Sequence, residues 1–241
     1  MEVGSLDCGV WILNLVTAII VAAGKGTRMG PNRDKLFLEL HGCPVLGHTW
    51  RRFDQADCID EIVLVVREGM EGAFYELAKR YDFKKRFRLV AGGQERQDSV
   101  WNGLGASSPD TEVVAIQDAA RPCTSTALIA ATVEAARETG AAVAAQPVTD
   151  TIKESRDGKL IERTLERSRL WAVQTPQTFQ VEIIRRALEA VREKNLVVTD
   201  DTAACELIGQ PVQLVVSLEP NPKVTRPEDL PWVEAVLRRA G

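Results

Sequence analysis

The residues that could do chemistry begin with AAGKGTRMG, Ala22 to Gly30, a glycine-rich loop directly after an apolar run. Glycines at a strand end let backbone N–H groups approach phosphate oxygens without Cβ interference. Lys25 and Arg28 lie in the loop and Lys35 follows shortly after, so the chemistry on offer is the binding of phosphate oxygens by backbone N–H groups and fixed cations. The loop is not the dinucleotide fingerprint, because Met29 stands where GxGxxG needs its third glycine, and GxxxxGK[ST] is absent. A tight strand–turn–helix connection with solvated cations is the plainer alternative. It does not explain why basic residues repeat at this one strand end. Two more places qualify. Gly92-Gly93 stands ahead of a helical stretch, and DAARPC sets Asp118 and Arg121 at the end of a buried run. A strand-end aspartate is either a ligand of an open α/β sheet or a helix N-cap.

Those loops need elements to hold them. β-branched runs at Val16–Val21, Glu61–Val66, Phe87–Ala91, Val113–Gln117 and Ala141–Val148 read as buried strands. Helical periodicity covers Val45–Ala56, Gly69–Arg80, Asp98–Ala106 (with Asp98 as its cap) and Ser125–Thr139, which Gly140 ends. This alternation predicts an α/β fold, a Rossmann-like doubly wound and mostly parallel sheet. It breaks at residues 149–171, where charge, alternation and a central Asp157-Gly158 predict a β-hairpin arm projecting from the sheet. Such an arm either stands in solvent or embraces a partner subunit. Val181–Lys194 and Asp201–Ile208 return to helix, Val212–Val216 to strand, and Pro227–Ala240 to helix. Residues 1–14 read as an extension and 15–241 as one domain.

Composition narrows the function. Of 241 residues, 45% are hydrophobic and only 5% aromatic, and the net charge is −4. A nucleic-acid surface is therefore not expected. Cys8, Cys43, Cys58, Cys123 and Cys205 are odd in number and never paired as CxxC, the usage of reduced thiols in a cytoplasmic protein. The apolar stretch from Val10 to Gly24 is too short to span a membrane, and no basic residue precedes it as in a secretory signal. His41 and His48 are tied to no nucleophile motif, and a zinc site is not expected.

Taken together, AAGxGxRM, Lys35, Gly92-Gly93 with Glu95-Arg96 and Asp98-Ser99-Val100, and DAARPC resemble the cytidylyltransferase group of nucleotidyltransferases. DTIK (150–153), LW…TPQTF (170–179), VTDD (198–201) and KVTRPEDL (223–230) narrow the resemblance to the family acting on 2-C-methyl-D-erythritol 4-phosphate. It implies transfer of CMP from CTP to a polyol phosphate, with release of pyrophosphate. Arg28 and Lys35 would stabilise the transition state, and Arg167 and Lys223 would position the acceptor. CTP would meet Ala22, Ala23, Gly24, Lys25, Gly26, Gly93, Gln94, Ser99 and Ala119. Gln94 stands where the family often carries an acid, so a main-chain role is implied there. The acceptor would meet Asp118, Arg121, Thr151, Thr175 and Thr199. Motif alignment singles out Arg167, which Arg163 and Arg169 flank. Pro222 replaces a commonly aliphatic residue beside Lys223. The resemblance also implies Mg2+, for which other divalent ions would serve, held mainly by the nucleotide with no protein ligand assigned. It further implies a homodimer through the 149–171 arm. A ribitol 5-phosphate cytidylyltransferase and a non-catalytic nucleotide-binding dimerisation module are the alternatives. A nicotinamide-binding oxidoreductase is disfavoured by the missing glycine.

Overall fold

The computed structural model describes residues 14–24 and 34–239. Its elements run β1 (Leu15–Val21), β2 (Glu39–Leu40), β3 (Cys43–Pro44), α1 (Val45–Gln55), β4 (Glu61–Val66), α2 (Glu71–Tyr81), β5 (Arg86–Ala91), α3 (Arg96–Ala106) and β6 (Thr111–Asp118). They continue with α4 (Thr126–Thr139), β7 (Ala141–Pro147), β8 (Lys153–Glu154), β9 (Arg163–Thr164), β10 (Trp171–Gln180), α5 (Val181–Glu193), α6 (Asp201–Leu207), β11 (Gln213–Val216) and α7 (Leu230–Arg239). Seven strands form one sheet in the order β11-β7-β10-β6-β1-β4-β5. β1 pairs in parallel with β4 and β6, β4 with β5, and β11 with β7, while β10 alone runs antiparallel between β6 and β7.

Both faces of this sheet are covered, which is why its strands read as unbroken apolar runs. Val16, Ala18 and Ile20 of β1, with Ile62, Leu64 and Val66 of β4, pack against Leu46, Trp50 and Phe53 of α1, Ile129 and Val133 of α4, and Val233 of α7. On the opposite face Ile19, Val63, Val65 and Ile116 meet Val100 and Leu104 of α3, Ile184 and Leu188 of α5, and Cys205 of α6. The period-two alternation along each strand thus supplies both layers at once.

The elements follow the sequence closely; besides the short β2–β3 pair, which is not among the expected strands, and a last helix that begins at Leu230, three differences matter. First, β10 is not expected either, and it carries Pro176, a residue that cannot donate to a central ladder. The structure accommodates Pro176 with a cis Thr175-Pro176 bond and an irregular register against β7 between Val173 and Gln177. The arm is a hairpin, but Asp157-Gly158 is not a two-residue turn between its strands. β8 and β9 pair only as Lys153 with Thr164 and Glu154 with Arg163, leaving residues 155–162 as a wide loop. Within it Asp157 Oδ1 accepts from Ser155 Oγ, Lys159 N and Leu160 N, so the aspartate shapes the loop through its side chain. Third, α3 begins at Arg96, and Asp98 belongs to a capping box with Glu95 as the N-cap.

Among the described residues no helix is long and apolar enough to cross a membrane. Cys43, Cys58, Cys123 and Cys205 are free thiols. His48 Nε2 meets Leu40 O at 2.7 Å and His41 Nε2 meets Glu234 O at 3.2 Å, which accounts for both as structural contacts.

Candidate active site

The strand order reverses direction beside β1: its chain neighbour β4 lies on one side and β6 on the other. Ligands of open α/β sheets collect outside the carboxyl ends of the strands at such a point. A cleft of about 440 Å³ opens there. Its walls are extensions of the sheet's own hydrogen bonding: Ala22 N donates to Val65 O, Gly92 N to Val66 O and Ala119 N to Val21 O, at 2.8, 2.8 and 3.2 Å. The backbone at the mouth is therefore fixed before any ligand arrives.

One side of the cleft is neutral backbone, formed by Ala22, Ala23, Gly24, Gly93 and Gln94 with Ser99 behind them. A Cβ on Gly92 would lie 2.3 Å from Ala23 Cβ, and one on Gly93 would lie 2.2 Å from Asp98 Cβ. The other loop at Gly92, and the first turn of α3 at Gly93, approach so closely that only glycine fits. Ser99 Oγ accepts from Gly93 N at 3.1 Å and donates to Glu95 O at 3.3 Å, so this hydroxyl also holds the Gly92-Gly93 turn.

The opposite side is charged. Asp118, at the end of β6, faces Lys223 Nζ at 2.7 Å, Arg96 Nε at 3.5 Å and Arg121 Nε at 3.6 Å. Burial pushes the carboxyl's pKa up, but Lys223, Arg96 and Arg121 pull it down further, to about 2. Arg96 is itself held from behind by Asp201, whose Oδ2 lies 2.7 Å from Arg96 Nη1 and whose side chain is 0% exposed. Burial disfavours the Arg96 charge, yet Asp201 and Asp118 overcome it and hold the guanidinium protonated. For Arg121 burial prevails and lowers the pKa. Asp118 N donates to Thr175 Oγ1 at 3.2 Å, tying β6 to the irregular part of β10.

Lys35 stands at the cleft on a short 3-10 turn, Lys35–Phe37. Asp34 caps that turn through Leu36 N and also pairs with Arg67, which fixes where the lysine starts. Its Nζ donates to Val224 O at 2.9 Å, next to Lys223. Lys35 and Lys223 thus enter from different elements and meet at one short loop.

The structure brings together Ala22, Ala23, Gly24, Lys35, Gly93, Gln94, Ser99, Asp118, Ala119 and Lys223 around the cleft. Arg121 and Thr175 contact Asp118 from behind. Arg167 is elsewhere: it is exposed at the base of the arm, donating from Nη1 to Thr149 O at 2.7 Å. Thr151 and Thr199 are also exposed and do not line the cleft. Lys25, Gly26 and Arg28 lie outside the described residues. Sequence reasoning assigned no role to Arg96, Asp201 or Asn221. The first two fall inside quoted motifs, but a buried ion pair 105 positions apart leaves no local pattern.

Among the described residues no group of three or more His, Cys, Asp or Glu side chains could enclose a metal. Asp118 is already matched by cations on three sides. The described donor set therefore does not by itself form a cage for a divalent ion.

The family model for 2-C-methyl-D-erythritol 4-phosphate cytidylyltransferase (IspD) matches residues 16–239. The enzyme of that name from Pelotomaculum thermopropionicum is 44% identical, over 94% of this chain and 95% of its own length. The one from Bacillus licheniformis is 43% identical over 91% and 94%. Among solved structures, 4-diphosphocytidyl-2C-methyl-D-erythritol synthase from Anaerococcus prevotii superposes with a TM-score of 0.83 at 32% identity, covering 94% of this chain and 97% of that one. The Thermus thermophilus cytidylyltransferase gives 0.77 at 32%, covering 93% and 99%. With a cleft at the sheet's switch point, neutral on one side and charged on the other, and these matches along nearly its whole length, the chain belongs to the 2-C-methyl-D-erythritol 4-phosphate cytidylyltransferase family.

Proposed function

We propose that this chain transfers CMP from CTP to 2-C-methyl-D-erythritol 4-phosphate, giving 4-diphosphocytidyl-2-C-methyl-D-erythritol and pyrophosphate, a step toward isoprenoid precursors. The observation that carries this reading is the two-sided cleft. Rigid backbone at Ala22–Gly24 and Gly93 suits a pyrimidine nucleoside, and the cluster at Asp118, Lys223, Arg96 and Arg121 suits phosphates.

An oxygen of the acceptor phosphate attacks the α-phosphorus in line, forming the new P–O bond as the bond to the β-phosphate oxygen breaks. Pyrophosphate leaves with that electron pair, and a dianionic acceptor need lose no proton. Charge builds on the non-bridging oxygens, so fixed cations supply most of the rate. Lys35 and Arg28 take that part: the lysine acts as a point charge, and an arginine fork grips two oxygens. Lys223 exchanges Asp118 for the acceptor phosphate, and Arg121 and Thr175 keep Asp118 placed for the acceptor's hydroxyls. A magnesium ion bound with the nucleotide would supply charge neutralisation of the triphosphate and so favour the departure of pyrophosphate, with no protein side chain assigned to hold it.

Arg167 and Thr151 lie on the arm rather than in the cleft. We assign them to the site of a second copy, in a homodimer joined through 149–171. The arm's exposed Leu160 and Ile161, at 74% and 65%, support that assignment. The free thiols support a cytoplasmic location.

The test is pyrophosphate release with CTP and magnesium, comparing 2-C-methyl-D-erythritol 4-phosphate with ribitol 5-phosphate and running ATP, GTP and UTP in parallel. Release with CTP and the methylerythritol acceptor is expected. Release with ribitol 5-phosphate instead would overturn the choice of acceptor while keeping the mechanism.

A further inference from the structure

Lys223, Arg121 and Thr175 come from three separate segments, yet they converge on Asp118. Their meeting point is Asn221, which is 2% exposed. Its Nδ2 donates to Thr175 O at 2.8 Å, its Oδ1 accepts from Thr124 Oγ1 at 2.9 Å, and its main-chain O accepts from Arg121 Nη1 at 2.6 Å. Lys223 follows two residues later, and the next residue, Val224, donates its N–H to Ala120 O at 2.8 Å and accepts Lys35 through its carbonyl. Because Thr175 O can only accept, the amide nitrogen must face it, and the amide oxygen then faces Thr124. Gln117 Nε2 donates to Thr124 Oγ1 at 2.9 Å, and that hydroxyl's single hydrogen faces Asn221 Oδ1 at 2.9 Å, with Arg121 O as a longer alternative at 3.2 Å. No other side chain of this size donates on one edge and accepts on the other in the same plane.

We propose that Asn221 is a positioning residue for the acceptor, registering Lys223, Arg121 and Thr175 around Asp118. The inference rests on the proposed reaction. It goes beyond it by assigning acceptor affinity to a buried amide that touches neither substrate. An aspartate could not donate to Thr175 O and would bring a second buried charge beside Arg121. An alanine would leave the Thr175 carbonyl without its Asn221 donor in the interior and would release the Thr124 hydroxyl to Arg121 O, untying it from the 221 loop.

The full-length chain would be assayed as Asn221→Ala and Asn221→Asp, with the near-isosteric pair Thr124→Val and Thr124→Ser. The acceptor KM should rise roughly tenfold or more in Asn221→Ala, Asn221→Asp and Thr124→Val. The KM for CTP should stay within about twofold, and Thr124→Ser should restore the acceptor KM, because it keeps the hydroxyl. Hydrogen exchange at the Val224 amide gives a readout independent of turnover, and it should speed up in the same variants. A purely structural amide would lower thermal stability and the active fraction while leaving both KM values unchanged, and that result would overturn the proposal. If Asn221→Ala does not fold, the Thr124 pair decides by the same criteria. If the wild type turns over neither acceptor, the proposed reaction fails. Unchanged Val224 exchange in the variants would then overturn the positioning role separately.

Discussion

Lys35 and Asp118 carry opposite duties, and each can be tested alone. Removing the Lys35 ammonium withdraws one preorganised charge from the transition state, so Lys35→Ala should lower kcat by on the order of 10²–10³. CTP binding measured by titration calorimetry should change far less. Asp118 tests the resting charge cluster. Its pKa is held near 2 in the folded chain, against an ordinary value of 3.8. A depressed folded-state pKa contributes stability that is complete above about pH 4 and is lost as the pH falls toward 2. Urea unfolding from pH 5 downward should show the wild type losing on the order of 2 kcal/mol through that window. The Asp118→Asn curve should be flatter there, and parallel curves would mean the cations do not engage the carboxylate. Asp118 and Arg121 were legible in DAARPC because a strand end is where such a sheet binds ligands. Asn221 was not, since an asparagine in EPNPK looks like any loop residue until its buried partners are seen.

The loops depend on elements that hold them to within an ångström. Gly92→Ala would press a methyl into Ala23, and Gly93→Ala would press one into Asp98. Each should cost about 1–3 kcal/mol in a denaturant melt and weaken CTP binding more than acceptor binding. Equal loss of both substrates would argue that the turn serves folding alone. Most elements could be read from the chain because their signals are local. EIVLVV is apolar throughout and all six residues are buried, and Ser125 caps α4 by accepting from Leu128 N. β10 was hidden because its identity is not local. TPQTF carries a proline and two polar side chains, Thr175 and Gln177, whose hydrogen-bonding partners come from the end of β6 and the start of α6. Asp157-Gly158 lies in the connection between β8 and β9, but as part of a wide loop shaped by the side-chain bonds of Asp157 and not as a tight turn.

At the scale of the molecule, the doubly wound order predicted the crevice, and the irregular half set what surrounds it. Deleting Ser155–Lys159 should shift sedimentation velocity toward the monomer and lower turnover together, because Arg167 and Thr151 would lose their place. An unchanged sedimentation coefficient would sink the arm's assigned role. The alternation of strands and helices could be counted along the chain, whereas the partner of a charged hairpin could not, because nothing in 149–171 names what it packs against. β10 joins these two halves. Its first residues, Trp171 to Val173, are exposed beside the arm, and Thr175 of the same strand accepts the N–H of Asp118. At about 3.3 Å per residue, the step from Trp171 to Thr175 is little more than a nanometre long. The arm and the floor of the cleft are thus consecutive stretches of one strand, so whatever fixes the direction of the first also bears on where the second begins.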